Sequence, residues 1–315
     1  MAAAIDLEQL PRRIVLSRKG SDAAWGGRPS LRVGSELISL PVPESVPRTA
    51  AAEETGVGLR YGELLAHPRL GALHTHLRKM AADRYVHLDP DLRPELRPAA
   101  GQTGLTGKER LFGQTGAAEQ HLRNQEVGPG DLFLFFGWFR EAEQREGAWR
   151  RVGPEEHCLW GGLQIEASHL VTDAELAGKL KWAAHHPHVA HWDRYDRNNR
   201  VYRARRRLSF APDLPGAGVF RWHPGLTLTQ RCGEAVTRRE WCLPGFVRRT
   251  GLTYNQVDGP RCPASRGCVH MSSAAIGQEF VMPAHRPFRR SERPEVGEWL
   301  GKLFYGPDGS GAGSG

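Results

Sequence analysis

The residues best suited to chemistry begin in a polar, glycine-rich loop, Ser17 to Ser30, which reads S-R-K-G-S-D-A-A-W-G-G-R-P-S. Arg18 and Lys19 supply cations able to hold a phosphate or carboxylate, and Gly20 lets the backbone turn tightly or approach a ligand. Asp22 adds a carboxylate suited to acid–base work, a sugar hydroxyl or a metal. The competing reading is a structural loop whose charges pair with one another.

A second set is His87-Leu88-Asp89-Pro90-Asp91. In an extended segment His87 and Asp89 share one face. H-x-D is then the local half of the two-histidine, one-carboxylate triad that binds iron(II), although no distal histidine announces itself. The spacing is also that of a plain turn, with Asp91 capping the segment after it. Gln114, His121 and Gln125 form a third set, since 121 and 125 lie one helical turn apart and amide side chains read base edges. Trp138 and Trp25 offer surfaces for stacking on a base.

Other patterns are weaker. Gly101 to Glu109 imitates a phosphate-binding P-loop, but five residues separate its outer glycines and Glu109, not Ser or Thr, follows Lys108. His185, His186, His188 and His191, with Asp193 behind them, make a histidine-rich turn in which Pro187 breaks helical spacing. Cys262, Cys268 and His270 are spaced too loosely for an ordinary structural zinc pair. Neither a nucleophile elbow nor a dinucleotide-binding glycine fingerprint is present.

The elements that must position these groups are predicted from apolar patterning. Arg13 to Leu16 is β-branched and ends in the polar loop, as a first strand would. Leu31 to Val42 supplies one or two strands, and Pro43 to Thr55 reads as a surface connection. Helical character runs over Tyr61 to Met80, broken by Pro68, and Tyr85 to Asp91 reads as a short strand entering a turn. Thr115 is a candidate N-cap for a helix over Ala117 to Asn124. The run L-F-L-F-F-G-W-F from Leu132, entered through Pro129-Gly130-Asp131, predicts a strand buried on both faces. Further strands are expected over Leu159 to Ile165, Arg200 to Phe210 and Val219 to Leu228. Helices are expected from Thr172 through Trp182, near Glu240, and over Pro294 to Phe304. The result is an α+β fold, a mixed, mostly antiparallel sheet or barrel with flanking helices. No internal repeat or interdomain linker is visible. Residues 1–13 are expected to be an N-terminal extension, 14–305 a single domain and 306–315 a disordered Gly/Ser tail.

Composition sets outer limits. Of 315 residues, 39% are hydrophobic and 25% charged, enough for a core and ordinary for a globular protein. The longest apolar run is strand-sized, and the first residues lack a signal-peptide core, so a cytoplasmic protein without a membrane partner is expected. Five scattered cysteines read as reduced thiols, not a disulfide framework. The net charge of +8 favours a polyanionic partner, while the excess of Arg over Lys, with abundant Ala, Gly and Pro, also fits a GC-rich genome.

Taken in order, I-V-L-S-R-K-G-S-D, G-G-R-P-S, L-I-S-L-P-V-P-E-S, H-L-D-P-D-L and F-G-Q-T-G-A-A-E-Q-H-L-R-N-Q-E-V-G-P-G-D-L-F-L-F-F-G-W-F-R form a series that resembles the third of the nucleotide modification associated domains. H-C-L-W-G-G-L-Q-I, N-N-R-V-Y-R-A and W-C-L-P-G-F continue the resemblance, which covers about Ile14 to Pro283. It implies a setting of nucleotide or DNA-base modification, with no assigned catalytic residues and no particular cofactor. G-D-L-F-L-F-F-G followed by G-G-L-Q-I is also similar to the strand pair of PUA- and EVE-like base-recognising barrels. Three readings are open: an enzyme acting on a base or nucleotide, a non-catalytic reader of modified bases, and an iron-type oxygenase of a small substrate. A structural subunit is a further alternative. In the first, Arg18, Lys19, Gly20, Gln114, His121, Gln125 and Trp138 bind, Asp22, His87 and Asp89 catalyse, and His87 and Asp89 are the metal candidates. A nucleotide or nucleic acid is the expected partner, with a protein from a modification system as another.

Overall fold

In the computed structural model, described residues are 5–21, 27–43, 60–66, 85–93, 109–229, 238, 240–254, 266–270 and 279–306. Chain order begins with β1 (Ile14–Arg18), β2 (Ser30–Val33), β3 (Glu36–Ile38), β4 (Val42–Pro43), α1 (Tyr61–Ala66), β5 (Val86–His87) and β6 (Leu111–Gln114). Then come α2 (Gly116–Asn124), β7 (Leu132–Arg145), β8 (Ala148–Leu170), α3 (Ala174–Lys179), α4 (Pro187–Ala190), β9 (Arg200–Ala204) and β10 (Ala217–Val219). The last elements are β11 (Glu240–Pro244), α5 (Phe246–Thr250), β12 (Arg266–His270), β13 (Glu279–Met282) and α6 (Arg293–Tyr305).

Nine strands form one sheet along the path β13-β1-β7-β8-β9-β6, with β2 paired to β7, β3 to β2 and β10 to β8. β1 and β2 pair with β7 in parallel, one after the other along its edge, and the other ladders of the sheet are antiparallel. Among the described residues the sheet stays open, so of the two architectures expected it is a sheet and not a barrel. No helix of these residues is long and apolar enough to cross a membrane.

The apolar run of β7 is the spine of the core. Phe133 and Phe135 pack edge-to-face on Phe112, while Phe136, on the opposite face, meets Trp241 and Phe280. Both faces are therefore buried, as a continuous apolar run requires, and each phenylalanine contributes roughly 1.5–3 kcal/mol by burial. The turn before β7 is tied down by Asp131, whose carboxylate accepts from the backbone N–H groups of Arg13 and Gly128.

Several elements differ from the pattern-based expectation. β8 runs 23 residues because its polar first half pairs with the equally polar end of β7 across the Glu146-Gly147 turn. Its partner strand stops at Ala204, before the arginine run ends. The strand expected over Val219 to Leu228 does not form: β10 ends at Val219, and a 3-10 turn takes Pro224–Leu226. Glu240 starts a strand, not a helix, because Trp241 and Leu243 alternate into the core; the helix comes next, as α5. Thr115 is the N-cap of α2, but its hydroxyl goes to Asp196, and Asp196 takes the Gly116 N–H in its place. Residues 44–59, 67–84, 101–107 and 307–315, where a connection, part of a helix, a loop and a tail were expected, lie outside the described residues.

Candidate metal centre

Two segments far apart in sequence meet behind β6. The first is the turn after β5, which enters a cis Asp89-Pro90 bond and is fastened to β6 by Asp91 N–H donating to Leu111 O at 2.8 Å. The second is α4, whose N-cap is His186 and whose first residue is Pro187, suited to a first helical turn. Across a separation of 94 residues, His185 Nε2 reaches Asp91 Oδ2 at 2.9 Å and clamps the two together.

Between them His87, Asp89 and His188 converge, with one potential ligand atom from each within 4.8 Å of the others. Asp89 is almost wholly buried; its Oδ1 accepts the Gly113 N–H at 2.7 Å, and its Oδ2 lies 3.9 Å from His87 Nε2. Lys19 Nζ stands 3.5 Å from the same Oδ2 and 4.5 Å over the Phe112 ring. Burial alone would raise the Asp89 pKa, but the Lys19 ammonium, then the His186 side chain, overcome it and hold the carboxyl below the usual range.

Hydrogen bonding fixes the tautomers of both α4 histidines. Asn199 donates its amide hydrogens to Val171 O and His188 O, so its Oδ1 is turned to His188 Nδ1, 2.7 Å away. His188 therefore carries its proton on Nδ1, and Nε2 keeps a bare lone pair. Burial, against the pull of Asp89, takes its pKa down to about 3, so the ring is neutral. Tyr195 stacks flat on it at 4.2 Å. In His186 the roles reverse: Nδ1 accepts the His188 N–H, so Nε2 bears the proton and faces Asp89 Oδ1 at 3.4 Å, too poorly aligned for a full hydrogen bond.

Gly113 sits between Asp89 and His188. A Cβ there would fall 2.3 Å from His188 Cδ2, so the close approach of β6 to α4 needs glycine. The donor set, two imidazoles and one carboxylate with further positions left to other ligands, suits a divalent transition metal of the iron(II) class.

Of the residues singled out in the sequence, Lys19, His87 and Asp89 meet here. Gly20 lines a cleft with Asp89, Ser39, Leu88, Arg93 and Trp160. Its φ is +93°, and a Cβ would lie 2.6 Å from Ser39 Oγ. Arg18 ends β1 opposite Phe136. Gln114 hydrogen-bonds Glu279, which also accepts from Ser17 Oγ at 3.0 Å. His121 and Gln125 turn elsewhere, to Thr253 Oγ1 and to the His285 N–H. Trp138 donates to Glu155 and lies under the Arg238 guanidinium. Asp22 and Trp25 lie outside the described residues, as does Cys262, while Cys268 is opposite Cys242 in the β11–β12 ladder. Sequence reasoning found His188 only as part of a histidine-rich turn, and missed Gly113 and Asn199. The G-Q-T and N-N-R segments that hold them carried no ligand types.

The sequence profile of nucleotide modification associated domain 3 matches residues 13–283, and the chain belongs to that family. Membership supports a general role in nucleotide modification. No curated protein and no solved structure matches the chain.

Proposed function

We propose that the protein is a metal-dependent enzyme that modifies a nucleotide or nucleic-acid base, with His87, Asp89 and His188 as the metal ligands. The observation that carries this reading is the convergence of the three donors within 4.8 Å, with the Nε2 lone pair of His188 held bare by Asn199. A metal bound there would supply Lewis-acid or oxygen-activating chemistry at open coordination positions. Lys19 balances the buried Asp89 charge, and in this reading its ammonium also holds a negatively charged group of the substrate. Family membership supports the substrate class.

The test is elemental analysis of purified protein, with iron, manganese and zinc offered in turn. One equivalent of metal is expected in the native chain, and less than a tenth in a His87→Ala, Asp89→Ala variant that stays folded. A metal-free protein that still binds DNA with a steep salt dependence would favour the non-catalytic reader of bases.

A further inference from the structure

The half of the β7–β8 ladder beyond Trp138 gathers guanidinium groups. Ala142 pairs with Arg151, and Arg140, two residues before Ala142, lies on the same face of β7. Parallel pairing of β2 sets Leu31 opposite Arg140, which brings in Arg28 from the Gly-rich loop that leads into β2. Arg28 and Arg140 are near enough to add to burial in depressing the ionisation of Arg151, with Glu155 opposing them.

The carboxylates around this cluster have hydrogen-bond partners other than Arg151, Glu155 included, although it stands opposite Arg140. Glu155 accepts from Trp138 Nε1 and Arg238, Glu141 pairs with Arg32, and Glu143 pairs with Arg145. Arg140 Nε donates to Gly153 O. Nε and Nη2 of Arg151 are buried and have no hydrogen-bond partner among the described residues. Two unmet N–H groups on a cation beside two more cations cost free energy, and an anion with several acceptor oxygens removes that cost.

We propose that Arg28, Arg140 and Arg151 form a phosphate-binding site, which takes the phosphate of a nucleotide or of a nucleic-acid backbone. The assignment rests on the proposed nucleotide-modifying function and adds to it the place of the phosphate. Ala142, the cross-strand partner of Arg151, belongs to one apolar cluster with Val86, the residue before His87. Arg151 and His87 thus each adjoin a residue of this one cluster.

Calorimetry with the full chain tests it, using deoxynucleoside 5′-monophosphates and the corresponding nucleosides as probes. The monophosphates are expected to bind at least tenfold tighter than the nucleosides. Arg151→Gln and Arg140→Gln should each lose at least tenfold for the monophosphate and leave nucleoside binding unchanged. Equal binding of monophosphate and nucleoside, binding of neither, or variants that bind monophosphate like the native chain would overturn the site. A single-stranded decanucleotide separates the two sources. A salt slope reduced by about one in Arg140→Gln assigns the site to the backbone, and an unchanged slope assigns it to free nucleotides. Metal content of Arg140→Gln should equal that of the native protein, so failure of the phosphate site and failure of the metal centre read out separately.

Discussion

The carboxamide of Asn199 donates both amide hydrogens to main-chain carbonyls, so its oxygen is the atom that meets His188 Nδ1. One residue thereby does two jobs, fixing the tautomer of His188 and bracing the chain between α4 and β9. Two substitutions separate them. Asn199→Asp keeps the acceptor for Nδ1–H but loses the two donated bonds, so it should destabilise the fold by about 1–3 kcal/mol while metal affinity stays within a few-fold. Asn199→Ala loses the acceptor too and should bind metal 10–100-fold more weakly, as removal of outer-shell partners does. Metal titrations and thermal melts on both variants decide the matter. If affinity simply tracks melting temperature in the two, Asn199 is a structural brace and nothing more.

At the scale of elements, the centre depends on how closely β6 passes α4. Gly113 lends its N–H to Asp89 and its bare Cα to the His188 ring. Gly113→Ala should cost about 1–3 kcal/mol through overpacking and displace the imidazole, abolishing metal binding, while amide exchange in the β6–β9 ladder stays slow. A variant that binds metal normally would mean that the ring is not held where the structure has it. This contact also shows what was legible beforehand. The L-F-L-F-F-G-W-F run and the Thr115-headed helix were readable because burial and capping act over a few residues. His87 and Asp89 were readable as a candidate pair because they stand two residues apart, although β5 ends at His87 and Asp89 lies in the turn after it, its N–H donating to His87 O. The approach of His188 was not, because it depends on contacts far apart in sequence: 94 residues separate the neighbouring His185 from its Asp91 partner. Only the pairing of β6 with β9 and the seating of α4 bring His188 across, and nothing local encodes that. Asp196 replacing Thr115 at the head of α2 has the same origin, a long-range acceptor displacing a short-range one.

Over the whole molecule, buried carboxyls set how stability responds to pH. Glu119 is fully buried between Tyr202, whose hydroxyl donates to it at 2.8 Å, and Arg200 at 2.9 Å. Burial outweighs both and raises its pKa from 4.5 to about 7. Burial also raises Glu279, and lifts Asp131 to about 6. A group whose folded pKa lies above its unfolded value binds its proton more tightly in the native state. Its stabilising contribution is complete below the unfolded pKa and is lost as pH rises through the folded one. For Glu119 the window is therefore pH 4.5 to 7, and the loss across it is up to about 3 kcal/mol. Asp89, held below the usual range, acts in the opposite sense and loses stability only at acid pH. Glu119→Gln keeps an acceptor for Tyr202 but cannot ionise. Its melting temperature, taken relative to the native chain, should climb as pH rises from 5 to 8, whatever the offset caused by weakening the Arg200 contact. Melting curves that stay parallel across that range would show that Glu119 is ionised in the native fold throughout, with Arg200 and Tyr202 compensating its burial.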